Sequence, residues 1–147
     1  MTDEGSQPVS AEPMAALRAA IRGGTSSDLA TWTAMGEAGL TTLREVLTGR
    51  LGLDLPGVHP KDVIDGLSTA VAPIAHAHAA AFLDVFADPS FDTNSYVITA
   101  LGEVNDHRAT DRIVKAARSR DQWLRMAAAI GLGGHDSAIA VQTLIEL

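Results

Sequence analysis

An internal repeat of 31 residues is the feature that most restricts the fold of this chain. Three segments align at this offset without gaps. The matching positions are Ala70, Leu101 and Leu132, then Phe82–Leu83, Ile113–Val114 and Leu144–Ile145, then the charged Asp84, Lys115 and Glu146. A period of about 30 residues is typical of α-solenoids, in which stacked pairs of helices bury one continuous core.

Composition favours helices packed on helices. Apolar residues make up 46% of the 147 residues, which is enough for a core, but only 4% are aromatic. Alanine is abundant, and it favours helices and allows them to approach closely. The sequence therefore predicts an all-α protein without a sheet.

Net charge, cysteine content and the lack of long apolar runs limit which partners and which cellular locations are expected. The formal charge of −7 disfavours nucleic acid and anionic membranes as partners and favours a protein with a basic surface. The chain has no cysteine, no apolar run of the roughly 20 residues that span a bilayer, and no signal peptide in its polar start. These features predict a cytoplasmic protein, and the residue usage suggests a bacterial one.

Two motifs carry a resemblance to a known family. Asp121–Gly133 (DQWLRMAAAIGLG) resembles the first helix of a bacterial HEAT repeat of the phycobilisome-lyase type, and Leu101–Ala109 (LGEVNDHRA) resembles that family's turn into the second helix. The resemblance covers most of 26–147. It implies a short right-handed α-solenoid (an α-α superhelix) of about four helical hairpins plus an N-terminal helix.

The implied layout is one domain with a short lead. Residues 1–12 form a flexible N-terminal lead and 13–147 a single HEAT-repeat domain. Its N-terminal helix runs over Pro13–Arg22 and ends at a pair of glycines, after which Ser26, Ser27 or Asp28 caps the next helix. The four hairpins lie at about 26–50, 60–87, 90–119 and 120–147, with a loop over Gly49–Pro60 after the first.

The resemblance also implies where a partner binds. In this architecture the second helix of each pair usually lines the concave surface. We name its expected exposed residues the second-helix strip: Arg44, Glu45, Asp84, Asp111, Arg112, Lys115, Gln142, Thr143 and Glu146. Trp123, near a helix start, is expected to be partly exposed and to contact the partner, whereas Trp32 is expected in the core. The strip alternates in charge, which suits a polar protein or peptide.

No catalytic, cofactor or metal site is predicted. There is no cysteine and no G-x-S-x-G elbow. A row of turn histidines, His76, His107 and His135, could bind a metal with Asp106 or Asp136, but capping or surface roles are favoured. Asp106, Asp121 and Asp136 are interpreted as helix caps. The alternatives are a HEAT-type enzyme or lyase accessory acting on a chromophore or metal-dependent substrate, and a nucleic-acid-binding protein.

Two further features bear on partners. A basic run, formed by Arg108, Arg112, Lys115, Arg118 and Arg120, is interpreted as a solvated helix face or a docking patch for an acidic partner segment. The apolar end Leu144–Leu147 suggests a partner or self-association through the C-terminal helix. We therefore expect a non-catalytic interaction or scaffold module, either a subunit of an assembly or an inhibitor or immunity-type protein.

Overall fold

The computed structural model describes residues 11–133 together with Gln142, Thr143 and Ile145. These residues form α-helices, one 3₁₀ helix and connecting loops, and they contain no β-strand. The all-α prediction is therefore confirmed for the part that the structure describes. The chain divides into two compact units, Met1–Ala77 and His78–Leu147.

From residue 11 onward, where the description begins, the first unit contains four helices. They are α1 (Ala11–Arg22), α2 (Ser26–Thr33), α3 (Gly36–Leu47) and α4 (Pro60–Ala77). The N-terminal helix thus starts two residues earlier than predicted, and Ala11 and Glu12 belong to it rather than to the lead. The predicted first hairpin, 26–50, holds α2 and α3, and the predicted loop ends where Pro60 begins α4.

The start of α2 corrects one detail of the sequence analysis. Gly24 has a φ of +62°, which ends α1 with a backbone conformation that glycine adopts easily. Thr25 is the N-cap, because its Oγ1 accepts a hydrogen bond from the backbone N–H of Asp28 at 3.0 Å. The prediction of an N-cap at Ser26, Ser27 or Asp28 is wrong, since these three residues already form the first turn.

Trp32 is at the centre of the first unit. Its side chain is fully buried, as predicted, and its indole Nε1 donates a hydrogen bond to the carbonyl oxygen of Ala70 at 2.9 Å. This bond links α2 to α4. The Arg18 guanidinium donates to the carbonyl of Leu53 at 2.7 Å, which fixes the loop before α4 against α1.

The second unit begins at α5 and contains the copies of the repeat with the clearest pattern. Its elements up to residue 133 are α5 (Ala79–Val85), a 3₁₀ helix (Pro89–Thr93), α6 (Ser95–Leu101), α7 (His107–Ala117) and α8 (Gln122–Leu132). Polar side chains cap four of these starts by accepting backbone N–H bonds: Asp88, Asn94, Asp106 and Asp121. The predicted caps at Asp106 and Asp121 are confirmed, and Asp136 lies outside the described residues.

Aromatic and aliphatic side chains form the core of the second unit. The rings of Phe82 and Phe86 have centroids 4.8 Å apart, and Phe91 meets Phe86 edge to face at 4.9 Å. Helix α6 packs against both α7 and α8. At the crossing of α6 and α8, Gly102 and Gly131 bring the two backbones close together, because neither residue has a side chain.

The 31-residue register agrees with burial over most of the described chain. Leu101 and Leu132 are fully buried, and so are Phe82 and Ile113. Ile145 departs from the pattern because it is exposed. The hairpin predicted at 90–119 contains α6 and α7, and the boundary between the two units falls inside the segment 60–87. Of the hairpin predicted at 120–147, the described part includes α8 and the helical residues Gln142, Thr143 and Ile145.

No single helix of the described chain is long and apolar enough to cross a membrane, although α4 and α5 taken together meet that criterion by length and composition alone.

Candidate functional site

The second-helix strip is divided between the two units. Arg44 is exposed and Glu45 partly exposed on α3, in the first unit. In the second unit Asp84, Asp111 and Lys115 are exposed. These five residues therefore have the accessibility that was predicted for them, and Gln142 is exposed as well.

Two members of the strip do not present the expected exposed side chain. Thr143 is only 4% exposed, so its side chain is not part of an accessible surface. Arg112 lies on α7 but turns its guanidinium toward the 3₁₀ helix, where Nε donates to Oδ1 of Asp92 at 2.7 Å. The prediction of exposed side chains is wrong for both. Glu146 lies outside the described residues.

The Arg112–Asp92 pair has a structural role. Both side chains are mostly buried, and the pair joins α7 to the 3₁₀ helix across 20 positions of sequence. Nη2 of Arg112 is buried and has no hydrogen-bond partner in the described structure. A buried cation that has lost its partner is costly, so Arg112 is unsuited to contact a binding partner without loss of stability.

The start of α7 is organised by a second pair of charges. Asp106 accepts from the backbone N–H of Arg108 at 2.8 Å and from its guanidinium Nε and Nη2 at 3.2 and 3.0 Å. These hydrogen bonds from Arg108 lower the pKa of Asp106 to about 2, because they stabilise the ionised carboxylate. The carboxylate therefore stays charged at the positive end of the helix dipole.

An exposed apolar face runs along α8. Trp123, Met126 and Ile130 are 63%, 49% and 61% exposed. They are spaced i, i+3 and i+7, which places them on one side of the helix. We call these three residues the apolar stripe. The opposite side of α8 is buried through Leu124 and Leu132, so the stripe is not needed for the core of its own unit.

Sequence reasoning identified one residue of the apolar stripe. The exposure of Trp123 was predicted and is confirmed, but Met126 and Ile130 were missed. Their spacing from Trp123 was the available signal. It was ambiguous, because α8 is apolar on several sides and sequence does not reveal which apolar side a neighbour covers.

One segment of the second unit, residues 108–125, is opposite in charge to the chain as a whole. Six of the 11 basic residues lie between Arg108 and Arg125, where only Asp111 and Asp121 are acidic. This segment carries +4 and the remaining chain carries −11. Arg118 and Arg120 are exposed just before α8, next in sequence to the apolar stripe.

The described residues show few features of a catalytic or metal-binding site. No group of three His, Asp or Glu side chains within the described residues could hold a metal ion. His76 and His107 are exposed, and His135 lies outside the described part. The first unit has an open depression of about 450 Å³, and its lining includes Arg22, Asp62 and Asp65. It mixes charges of both signs and does not resemble an enclosed apolar pocket.

Comparison with known proteins bears on the second unit. Residues 79–147 match the family model for HEAT repeats. The matched segment starts with the first helix of that unit. No curated protein and no solved structure matches the chain. The match and the all-helical structure are consistent with a short α-solenoid.

Proposed function

Because this chain is a HEAT-repeat protein, with its repeats recognised over residues 79–147, we propose that it is a non-catalytic module that binds another protein through its second unit. HEAT repeats commonly mediate interactions between proteins. Their stacked helices present a rigid surface, so little conformational entropy is lost when a partner binds. The narrower likeness to repeats of the phycobilisome-lyase type stays a prediction.

The apolar stripe of α8 is the observation that carries this proposal. Three large apolar side chains on one helix face, each about half exposed or more, are unusual on a surface that has no partner. Tryptophan and methionine are also enriched where proteins meet. The stripe gives the module an anchoring surface made of side chains that the core of its own unit does not bury.

The absence of catalysis is part of the same proposal. Asp106 and Asp121 precede α7 and α8, and both accept backbone N–H bonds at these helix starts. Such bonds explain why these residues occur there without any acid–base role. The module therefore acts by holding its partner, as a subunit of an assembly or as an inhibitor.

The test is a pull-down with matched variants of the full chain. Met126→Ser/Ile130→Ser removes most of the stripe and leaves the buried face of α8 intact. Ile64→Ser is the control, because Ile64 is 53% exposed on α4 in the first unit. We expect a partner recovered in stoichiometric amount with the wild type and with Ile64→Ser, and lost with the double variant. Equal recovery by all three proteins would refute the use of the stripe.

The second-helix strip offers a different binding surface, and one further variant distinguishes it. Lys115→Glu reverses an exposed charge of α7 and, unlike a change at Arg112, breaks no buried ion pair. Loss of the partner with Lys115→Glu but not with Met126→Ser/Ile130→Ser would assign binding to the strip.

A further inference from the structure

The apolar stripe has the length and spacing of a helix-binding surface. Trp123 and Ile130 are seven positions apart, which corresponds to about 10 Å along the helix axis. Met126 lies between them on the same side. Amphipathic helices dock through apolar side chains at i, i+3 or i+4, and i+7. The stripe can therefore receive two turns of a partner helix.

Charge next to the stripe defines the polar face of that helix. Arg118 and Arg120 are exposed immediately before α8. Arg125 is partly exposed, and its Nη1 donates to the carbonyl of Ser119 at 2.9 Å, which keeps the guanidinium at the start of the helix. Arg108 and Arg112 are paired with Asp106 and Asp92, so the charge offered to a ligand beside the stripe comes from Arg118, Arg120 and Arg125, and it attracts an anionic ligand to α8.

Given the proposed function, we propose that the apolar stripe binds an amphipathic helix of a partner protein, and that the polar face of this helix is acidic. Its apolar side chains pack on Trp123, Met126 and Ile130. Its carboxylates face Arg118 and Arg120, which selects acidic segments and speeds their association. The site thus takes a partner opposite in charge to the one that the net charge of the whole chain would select.

Two other occupants match the surface less well. A symmetric contact with a second copy places the same surface against itself, and so brings the exposed Arg118 and Arg120 of one copy near those of the other. A nucleic acid would need phosphate ligands along the exposed side of α8, where the side chains of Trp123, Met126 and Ile130 are uncharged. An acidic amphipathic helix uses both the apolar and the basic residues.

The experiment uses the full chain and two synthetic peptides. One peptide is an amphipathic helix of about four turns with leucine on one face and glutamate on the other. The second peptide has lysine in place of glutamate. Binding is measured by anisotropy of the labelled peptide and by the emission of Trp123, which shifts to the blue on burial. Trp32 is already buried, so its emission serves as an internal reference.

We expect the glutamate peptide to bind about tenfold or more tightly than the lysine peptide. Arg118→Glu/Arg120→Glu should remove this preference, and Met126→Ser/Ile130→Ser should weaken both peptides. Ile64→Ser should change nothing. Equal or stronger binding of the lysine peptide would overturn the proposal, as would an undiminished preference in the arginine double variant.

Two further measurements test the other occupants. Sedimentation that shows a dimer abolished by Met126→Ser/Ile130→Ser would assign the stripe to a second copy. A duplex oligonucleotide that displaces the glutamate peptide at moderate salt would assign it to nucleic acid. Either result overturns the inference. If a protein partner is lost with Met126→Ser/Ile130→Ser but the chain binds the lysine peptide more tightly than the glutamate peptide, the inference fails and the proposed function stands.

Discussion

The Cα of Gly131 in α8 lies 2.7 Å from the position that a methyl group on Gly102 would occupy at the end of α6. Real side-chain carbons do not approach backbone atoms so closely, so α6 and α8 can cross at this distance only without a side chain there. The contact works in both directions, because a methyl group on Gly131 would lie 2.9 Å from the carbonyl oxygen of Ile98.

Gly102→Ala should therefore destabilise the second unit. Alanine gains up to about 1 kcal/mol over glycine in helix propensity, but separating two packed backbones costs about 1–3 kcal/mol. We expect a net loss of about 1–2 kcal/mol in the free energy of unfolding, measured by denaturant titration. Gly133→Ala is the matched control, because Gly133 holds the same repeat position and its nearest neighbour would lie 3.3 Å away. A loss as large at Gly133 would contradict the close-contact explanation.

Arg112→Ala should be among the more damaging single changes in α7. It leaves the mostly buried carboxylate of Asp92 without its cation. The cost should be about 2–4 kcal/mol, a little below that of breaking a completely buried pair. In a double-mutant cycle, Arg112→Met/Asp92→Leu should be more stable than either single variant, because no unpaired charge remains. Additive losses in the double variant would show that the two side chains act independently.

The Asp106–Arg108 pair should make stability depend on pH in the acidic range. Hydrogen bonds from Arg108 hold the pKa of Asp106 at about 2 in the folded chain, below the 3.8 of an ordinary aspartate, so the contribution to stability is complete above 3.8 and disappears as pH falls toward 2. The melting temperature of the wild type should fall as the pH is lowered from 3.8 toward 2, and that of Arg108→Ala should fall less. Arg118→Ala, which removes another exposed arginine, should keep the steeper wild-type profile. Identical profiles for all three proteins would exclude the pair as the cause.

Trp32→Phe should destabilise the first unit by about 2–4 kcal/mol. The change removes the hydrogen bond to Ala70, which contributes about 1 kcal/mol, and leaves a cavity in a fully packed core. Trp123→Phe, the same substitution at an exposed position, should stay within about 0.5 kcal/mol of the wild type. Thermal unfolding of both variants gives the comparison. A larger loss at Trp123 would mean that its ring supports the fold.

Local signals in the sequence predicted several local features of the fold correctly, although they missed Thr25 as the N-cap of α2. Asp106 and Asp121 cap the helices that follow them because an aspartate before a helix can reach the free N–H groups of its first turn. Pro60 begins α4 for a related reason, since proline fits the first turn of a helix. The buried pattern at Leu101 and Leu132 followed from the repeat itself.

Contacts between distant residues were not predictable in the same way. Helical spacing alone placed Arg112 on a polar face, but Asp92, 20 positions away, draws its guanidinium inward. Nothing near Arg112 in the sequence signals that pairing. The apolar stripe was missed for the opposite reason, because Met126 and Ile130 resemble core residues until the packing of α8 shows which side is covered.

The glycine contact between α6 and α8 also limits how the repeats of this chain can be exchanged. Gly102 corresponds to Val71 in the preceding copy and to Gly133 in the following one. A helix with valine at this position demands a wider spacing from its neighbour than the crossing of α6 and α8 allows. The copy that contains Val71 therefore cannot replace the copy that contains Gly102 unless this position changes as well, so this one residue restricts the order in which the copies can be stacked.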